Sequence, residues 1–109
     1  MKLIIAIVQD EDSRELVGEL TGQKFRVTKL ATTGGFLKAG NTTLLIGAED
    51  EQVDTVIEII KDNCESRKEI IPASPSITSV TGVFVSYPVE VQVGGATVFV
   101  IDVEKHVKL

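Results

Sequence analysis

The sequence predicts an α+β fold for a single domain that spans residues 1–109. Three observations support this prediction: apolar runs typical of buried strands, two segments with apolar residues at helical spacing, and an element order in which strands and helices are mixed. A chain of this length buries enough surface for a core without disulfides or a metal. The apolar fraction of 43% and the charged fraction of 25% are ordinary for a soluble globular protein.

The chain begins with a strand and a helix. Leu3 to Val8 is a continuous apolar run, which indicates a strand buried on both faces. Asp12 is expected to cap the following helix, with Glu15 three residues later as in a capping box. Gly22 is expected to end this helix, because glycine is common just beyond a helix C-terminus.

Two strands and a second helix follow. Residues 25–31 alternate in polarity as a strand does, and residues 43–46 form a second apolar strand. Asp50 is expected to cap the second helix. The apolar stripe of that helix consists of Val53, Val56, Ile57, Ile60 and Cys64.

The last third of the chain is predicted to be a long loop and a hairpin. Residues 65–88 contain two prolines and many serines and threonines, with a short strand expected at 83–85. A long irregular loop in a compact domain is more often functional than idle. Residues 89–93 and 98–103 are expected to pair as a hairpin across the Gly94-Gly95 turn.

The predicted order is therefore βαββα, a loop and two strands, which is the ferredoxin-like βαββαβ arrangement with an extra C-terminal hairpin strand. Both helices of that arrangement cover the same face of the sheet. The segments LIIAIV, TLLIG and TVFVI are nevertheless apolar on both faces. The second face needs a cover, so the pattern predicts a homo-oligomer whose sheets face inward.

Charge and residue inventory argue against several functions. The net charge of −5 disfavours binding to DNA or RNA, which relies on a basic surface. One histidine, His106, is expected to be a solvated tail residue, and one cysteine, Cys64, is expected to be a buried structural thiol. These residues do not predict an enzyme, a metal site or a cofactor. The six apolar residues at the N-terminus are too few for membrane insertion, so a cytoplasmic location is expected.

The glycine-rich segment 33–43 is the most informative part of the sequence. Gly35 and Gly40 have the spacing of a phosphate-binding P-loop, but the Lys-Ser/Thr pair and the following helix are missing. Phe36 and Leu37 lie between turn residues, where an exposed apolar pair needs a cover. A nucleobase stacked on Phe36 would supply one, and Asn41 offers the donor and acceptor that an adenine edge requires. Packing of Phe36 on a neighbouring subunit is the alternative, and the residues alone leave both open.

Three blocks of the chain carry a family resemblance: MKLIIAIVQDED, KFRVTKLATTGGFLKAGNTTLLIG and YPVEVQVGGATVFV. They resemble the PII-like cyclic-di-AMP receptors, the family called PstA or DarA, and the resemblance covers essentially the whole chain. It implies a ferredoxin-like subunit, a homotrimer with inward-facing sheets, and a ligand site at each subunit cleft. The implied activity is cyclic-di-AMP binding and signal transduction without catalysis, towards a downstream protein that the sequence does not identify.

The resemblance also implies which residues bind the ligand. Those near the phosphates and ribose are Arg26 and Thr28, which the residue pattern by itself also allows as phosphate contacts. Gly35, Phe36 and Leu37 are expected to enclose one adenine, with Phe36 stacking on it. Asn41 and Gly47 are expected to hydrogen-bond the base and backbone, and Phe99 to complete the pocket from within the cleft. For Phe99, plain core packing is the alternative.

Two other functions compete with this interpretation. A PII-type sensor of ATP or ADP would keep the fold and change the ligand, but this chain lacks the long modifiable loop of that branch. A ligand-free oligomeric scaffold would need an ordered segment at 33–41 without any additive.

Overall fold

The computed structural model describes residues 1–30, 40–72, 76–77, 84–85 and 88–109. The elements are β1 Lys2–Gln9, α1 Asp10–Gly22, β2 Arg26–Leu30, β3 Asn41–Ala48, a 3-10 turn Asp50–Gln52, α2 Val53–Cys64, β4 Arg67–Pro72, β5 Ser76–Ile77, β6 Phe84–Val85, β7 Pro88–Val93 and β8 Ala96–Asp102. No helix in these ranges is both long and apolar enough to cross a membrane.

The main sheet has four strands in the order β2-β3-β1-β8, and every neighbouring pair is antiparallel. This order is compatible with the predicted ferredoxin-like arrangement. The core lies between one face of this sheet and the two helices. Its buried side chains are Ile4, Ala6, Val8, Leu16, Leu20, Leu44, Ile46, Ala48, Val56, Ile59, Ile60 and Cys64. The prediction that Cys64 is a buried thiol is therefore confirmed.

The predicted start of α1 is wrong, whereas its predicted end at Gly22 is confirmed. The helix begins at Asp10, two residues before the expected cap, and Gln9 is the N-cap. Asp12 lies instead within the first turn, 6% exposed, where its Oδ1 accepts a hydrogen bond from Arg67 Nη2 at 2.9 Å. At the other end, Gly22 is the last helical residue, and Lys24 takes the left-handed conformation with φ of 68°. The amides of residues 24 and 25 bond back to Thr21 and Leu20, which is the pattern of a Schellman motif.

The start of α2 also differs from the prediction. Asp50 does not cap α2: the N-cap of this helix is Gln52. Glu49 caps the preceding 3-10 turn and forms a capping box with Gln52. The buried face of α2 includes Ile59, whereas Ile57 is 37% exposed.

The predicted C-terminal hairpin is wrong. β7 pairs with β4 in a separate two-stranded sheet, and β8 pairs with β1 in the main sheet. Gly94 and Gly95 connect these two sheets with φ of 80° and 95°. The predicted long loop accordingly contains a strand, β4, at its start. The short strand expected near residue 84 is confirmed as β6, paired with β5.

Candidate ligand-binding face

The sheet face opposite the helices is apolar, and the described residues leave it uncovered. Side chains alternate along a strand, so the residues between the core positions of β1 point to this face. Leu3, Ile5 and Ile7 are half-buried there. On the edge strand β8, Phe99 is 52% exposed and Ile101 is 47% exposed. Exposure of this much apolar surface in one contiguous sheet indicates a face that binds something.

Strand register places the predicted site residues on this open face. Arg26 pairs with Gly47, and Gly47 pairs with Leu3 on its other side. Two residues further along β2, Thr28 pairs with Leu45 on β3, and Leu45 pairs with Ile5 on β1. Ile5 in turn pairs with Phe99 on β8. Thr28 and Phe99 are therefore on one face but three strand spacings apart, roughly 14 Å.

Asn41 lies at the opposite end of the same face. It precedes Gly47 by six positions on β3, which corresponds to roughly 20 Å along an extended strand. Its partner on β1 is Gln9. Within one subunit, the structure therefore brings Arg26, Thr28 and Gly47 together but leaves Asn41 apart. The predicted contacts Gly35, Phe36 and Leu37 lie outside the described residues.

Two cavities meet at the Arg26 end of the sheet. The first, about 360 Å³, lies beside the C-terminal end of α1 and includes Lys24 and Glu49. The second, about 330 Å³, lies on the open face and includes Thr28 and Leu45. Both volumes are at the lower end of the range for small-molecule sites. The residues that line both cavities are Met1, Arg26, Gly47 and His106.

Gly47 makes room at this junction. A Cβ atom built on Gly47 would lie 3.4 Å from Met1 Cε, and its φ lies outside the left-handed region. Backbone conformation therefore does not require glycine here. A glycine inside a strand often marks a place where a ligand approaches the backbone closely.

The charged groups that line the two cavities are the Met1 amine, Lys2, Lys24 and Arg26, which are cationic, and Glu49, which is anionic. The Met1 amine lies 3.2 Å from an Asp50 carboxylate oxygen, and Lys2 pairs with Asp102, which raises the pKa of Lys2. Within the described residues, Lys24 and Arg26 form no salt bridge. Two cations at a ligand-sized cavity suit an anionic ligand, although the chain as a whole carries a net charge of −5.

A third cavity, about 360 Å³, lies at the Asn41 end and is lined by Gln9, Gly94 and Thr97 among others. The Gly94 amide donates a hydrogen bond to Gln9 Oε1 at 2.9 Å. The Asp10 amide donates to the Gly40 carbonyl at 2.7 Å, and this bond fixes the end of the glycine-rich segment against α1. The Asn41 end of the face is thus hydrogen-bonded to the start of α1 and to the Gly94-Gly95 connection.

Sequence reasoning missed two members of the Arg26 end, Met1 and His106. His106 is exposed, as a tail residue is expected to be, yet it lines both cavities. No local pattern signals this position, because the tail after β8 has no helical or strand periodicity. The Val103 amide donates to the Met1 carbonyl at 3.2 Å, a contact between the two chain ends that spacing cannot predict.

Together, the antiparallel α+β fold and the cavities lined by Lys24 and Arg26 have the features of a small-molecule-binding protein. The sequence model of the cyclic-di-AMP receptor family matches residues 1–109, the whole chain, and the chain belongs to that family. It is also similar to a solved structure described as a functionally unknown protein from Pediococcus pentosaceus ATCC 25745. The two chains are 45% identical, with 99% of this chain and 96% of that chain covered and a TM-score of 0.76.

Proposed function

We propose that this chain is a non-enzymatic signal-transduction receptor that binds cyclic-di-AMP in clefts between the subunits of a cytoplasmic homotrimer. The family match over the whole chain carries the proposal, because the family is one of cyclic-di-AMP receptors. The cavities at Arg26 and the cationic groups that line them support it independently, since the ligand carries two phosphodiester charges.

The separation of the site residues supports a site shared between subunits. Arg26 and Asn41 lie at opposite ends of the open face, roughly 20 Å apart. A compact ligand can contact both Arg26 and Asn41 if the Asn41 end of one subunit meets the Arg26 end of its neighbour. Packing the open faces together would also bury Phe99 and Ile101, which one subunit leaves half-exposed.

Binding would act on the glycine-rich segment. In this proposal Phe36 stacks on one adenine, flanked by Gly35 and Leu37, while Arg26 and Thr28 hold the phosphates. The ligand then orders the loop at 33–41 and so presents a different surface to a downstream protein. The free energy for the change comes from tighter binding to that ordered arrangement than to the others.

Calorimetry with purified protein tests the proposal. We expect cyclic-di-AMP to bind with a Kd between submicromolar and micromolar, about −8 to −9 kcal/mol. ATP and cyclic-di-GMP serve as competing ligands, and a preference for ATP would favour the PII-type nucleotide sensor instead. Absence of heat at tens of micromolar cyclic-di-AMP would refute the receptor function.

A stacking variant and a mass measurement complete the test. Phe36→Ala should weaken binding strongly and leave the oligomer intact, whereas unchanged affinity would remove the stacking role. Light scattering should give the mass of a trimer with or without ligand. A monomer that binds cyclic-di-AMP with undiminished affinity would contradict the shared site.

A further inference from the structure

The C-terminal tail brings His106 to the end of the sheet where the Arg26 cavities meet. The tail leaves β8 after Asp102, and the Val103 amide bonds to the Met1 carbonyl at 3.2 Å. This bond holds the tail beside the start of β1. Three residues later, His106 forms part of the wall of both cavities. A ligand that fills either cavity therefore lies against a wall that His106 helps to form.

The groups around His106 are mostly cationic. From β1 and its start come the Met1 amine and Lys2, and from the α1–β2 turn and β2 come Lys24 and Arg26. The anionic member of the lining is Glu49, which lies 3.9 Å from the Met1 amine. Met1 and Lys2 already have carboxylate partners. Among the described residues, the groups left to meet an anion at this junction are therefore Lys24, Arg26 and the imidazole.

We propose that His106 contacts a phosphodiester group of the bound cyclic dinucleotide directly, as a second donor beside Arg26. The inference rests on the proposed function and adds to it a residue from the C-terminal tail. An imidazole N–H donates to a phosphate oxygen, and such charge-assisted bonds are stronger than neutral ones. Arg26 and His106 approach the cavity junction from the second strand and from the tail, so they hold the phosphate from two sides.

Substitutions at His106 separate the hydrogen-bonding role from other roles. His106→Ala should weaken cyclic-di-AMP binding about 10- to 100-fold, the range expected for loss of a hydrogen bond to a charged group. His106→Gln keeps a donor and should retain more affinity than His106→Phe, which keeps only a flat ring. Lys105→Ala is the matched control: it removes a tail cation that is absent from both cavity linings, and it should bind as the wild type does.

The single histidine of the chain also provides a direct spectroscopic test. In a long-range ¹H–¹⁵N spectrum, the imidazole signals belong to His106 alone, and they should shift during titration with cyclic-di-AMP. If the wild type binds in calorimetry while these signals stay fixed and His106→Ala keeps full affinity, the tail contact is refuted and the receptor function stands. Higher affinity in His106→Phe than in His106→Gln would refute the phosphate contact in favour of base stacking. If the wild type gives no heat, the receptor function itself fails.

Discussion

Substitution of Gly47 by valine should stabilise the fold and weaken ligand binding. Gly47 lies inside β3, and its φ does not require glycine, so a β-branched residue fits the strand backbone. The nearest atom to the new Cβ would be Met1 Cε at 3.4 Å, the end of a flexible side chain that is 40% exposed and can move. Replacing a glycine inside a strand raises the free energy of unfolding by about 0.5–1 kcal/mol, so unfolding should require more urea than in the wild type.

The same side chain should damage the site. Its methyl groups would project from Gly47 into the junction of the two cavities, the place where Arg26 and His106 also meet. We expect calorimetry to show a loss of cyclic-di-AMP affinity of at least about 10-fold, or about 1.4 kcal/mol. Gly18→Ala is the matched control, because nothing lies within 4 Å of a Cβ at this exposed helix position. It should gain stability and keep its affinity. Wild-type affinity in Gly47→Val would show that the ligand does not approach this junction.

Three further predictions concern the fold that supports the site, with denaturation compared at equal protein concentration. Gly94→Ala should lower the free energy of unfolding by about 2–5 kcal/mol, because its Cβ would lie 2.6 Å from the Glu65 carbonyl oxygen. Gly95→Ala has no close contact and should lower it only by the left-handed penalty of about 1–2 kcal/mol. Equal losses in the two variants would contradict the steric argument. Lys24→Gly should stabilise the protein by about 0.5–1 kcal/mol, because glycine adopts a φ of 68° without strain. Lys24→Ala keeps that strain and should not stabilise the protein. A similar gain in both variants would show that backbone strain at this position is not the cause. Burial raises the pKa of the Cys64 thiol from 9.0 to about 11, so the thiol should resist a disulfide reagent at pH 8 until urea unfolds the chain. Because the unfolded thiol ionises first, this group should reduce stability as pH rises from about 9 to 11, and Cys64→Ala should lack that component.

The sequence predicted the main sheet well, because its strands carry their own pattern. The run from Leu3 to Val8 signalled a strand with two apolar faces, and the structure shows one face in the core and the other open. The pairing of Arg26 with Gly47 was seen only in the structure, whereas alternation within residues 25–31 was enough to indicate a strand. These local signals do not depend on distant parts of the chain.

The errors came from contacts that no local pattern encodes. A Gly-Gly pair between two strands is a good hairpin signal, but it does not say which strand β7 will choose, and β4 provided a better partner. Asp12 looked like a helix cap, yet its carboxylate is buried against Arg67, 55 residues later in the chain. His106 reached the cavities through a bond between the chain ends. In each case the decisive interaction is long-range.

The uneven distribution of charge has a consequence for the rate at which the ligand arrives. A chain of net charge −5 repels a dianionic molecule from most directions, while Lys24 and Arg26 attract it at one end of the sheet. Encounters are therefore guided towards the cavity entrance, and the association rate constant should fall as salt screens the field over a Debye length of about 8–10 Å. Dissociation depends on contacts already made and should respond much less to ionic strength. The receptor would then report a rise in ligand concentration faster in dilute than in concentrated salt, at nearly constant residence time.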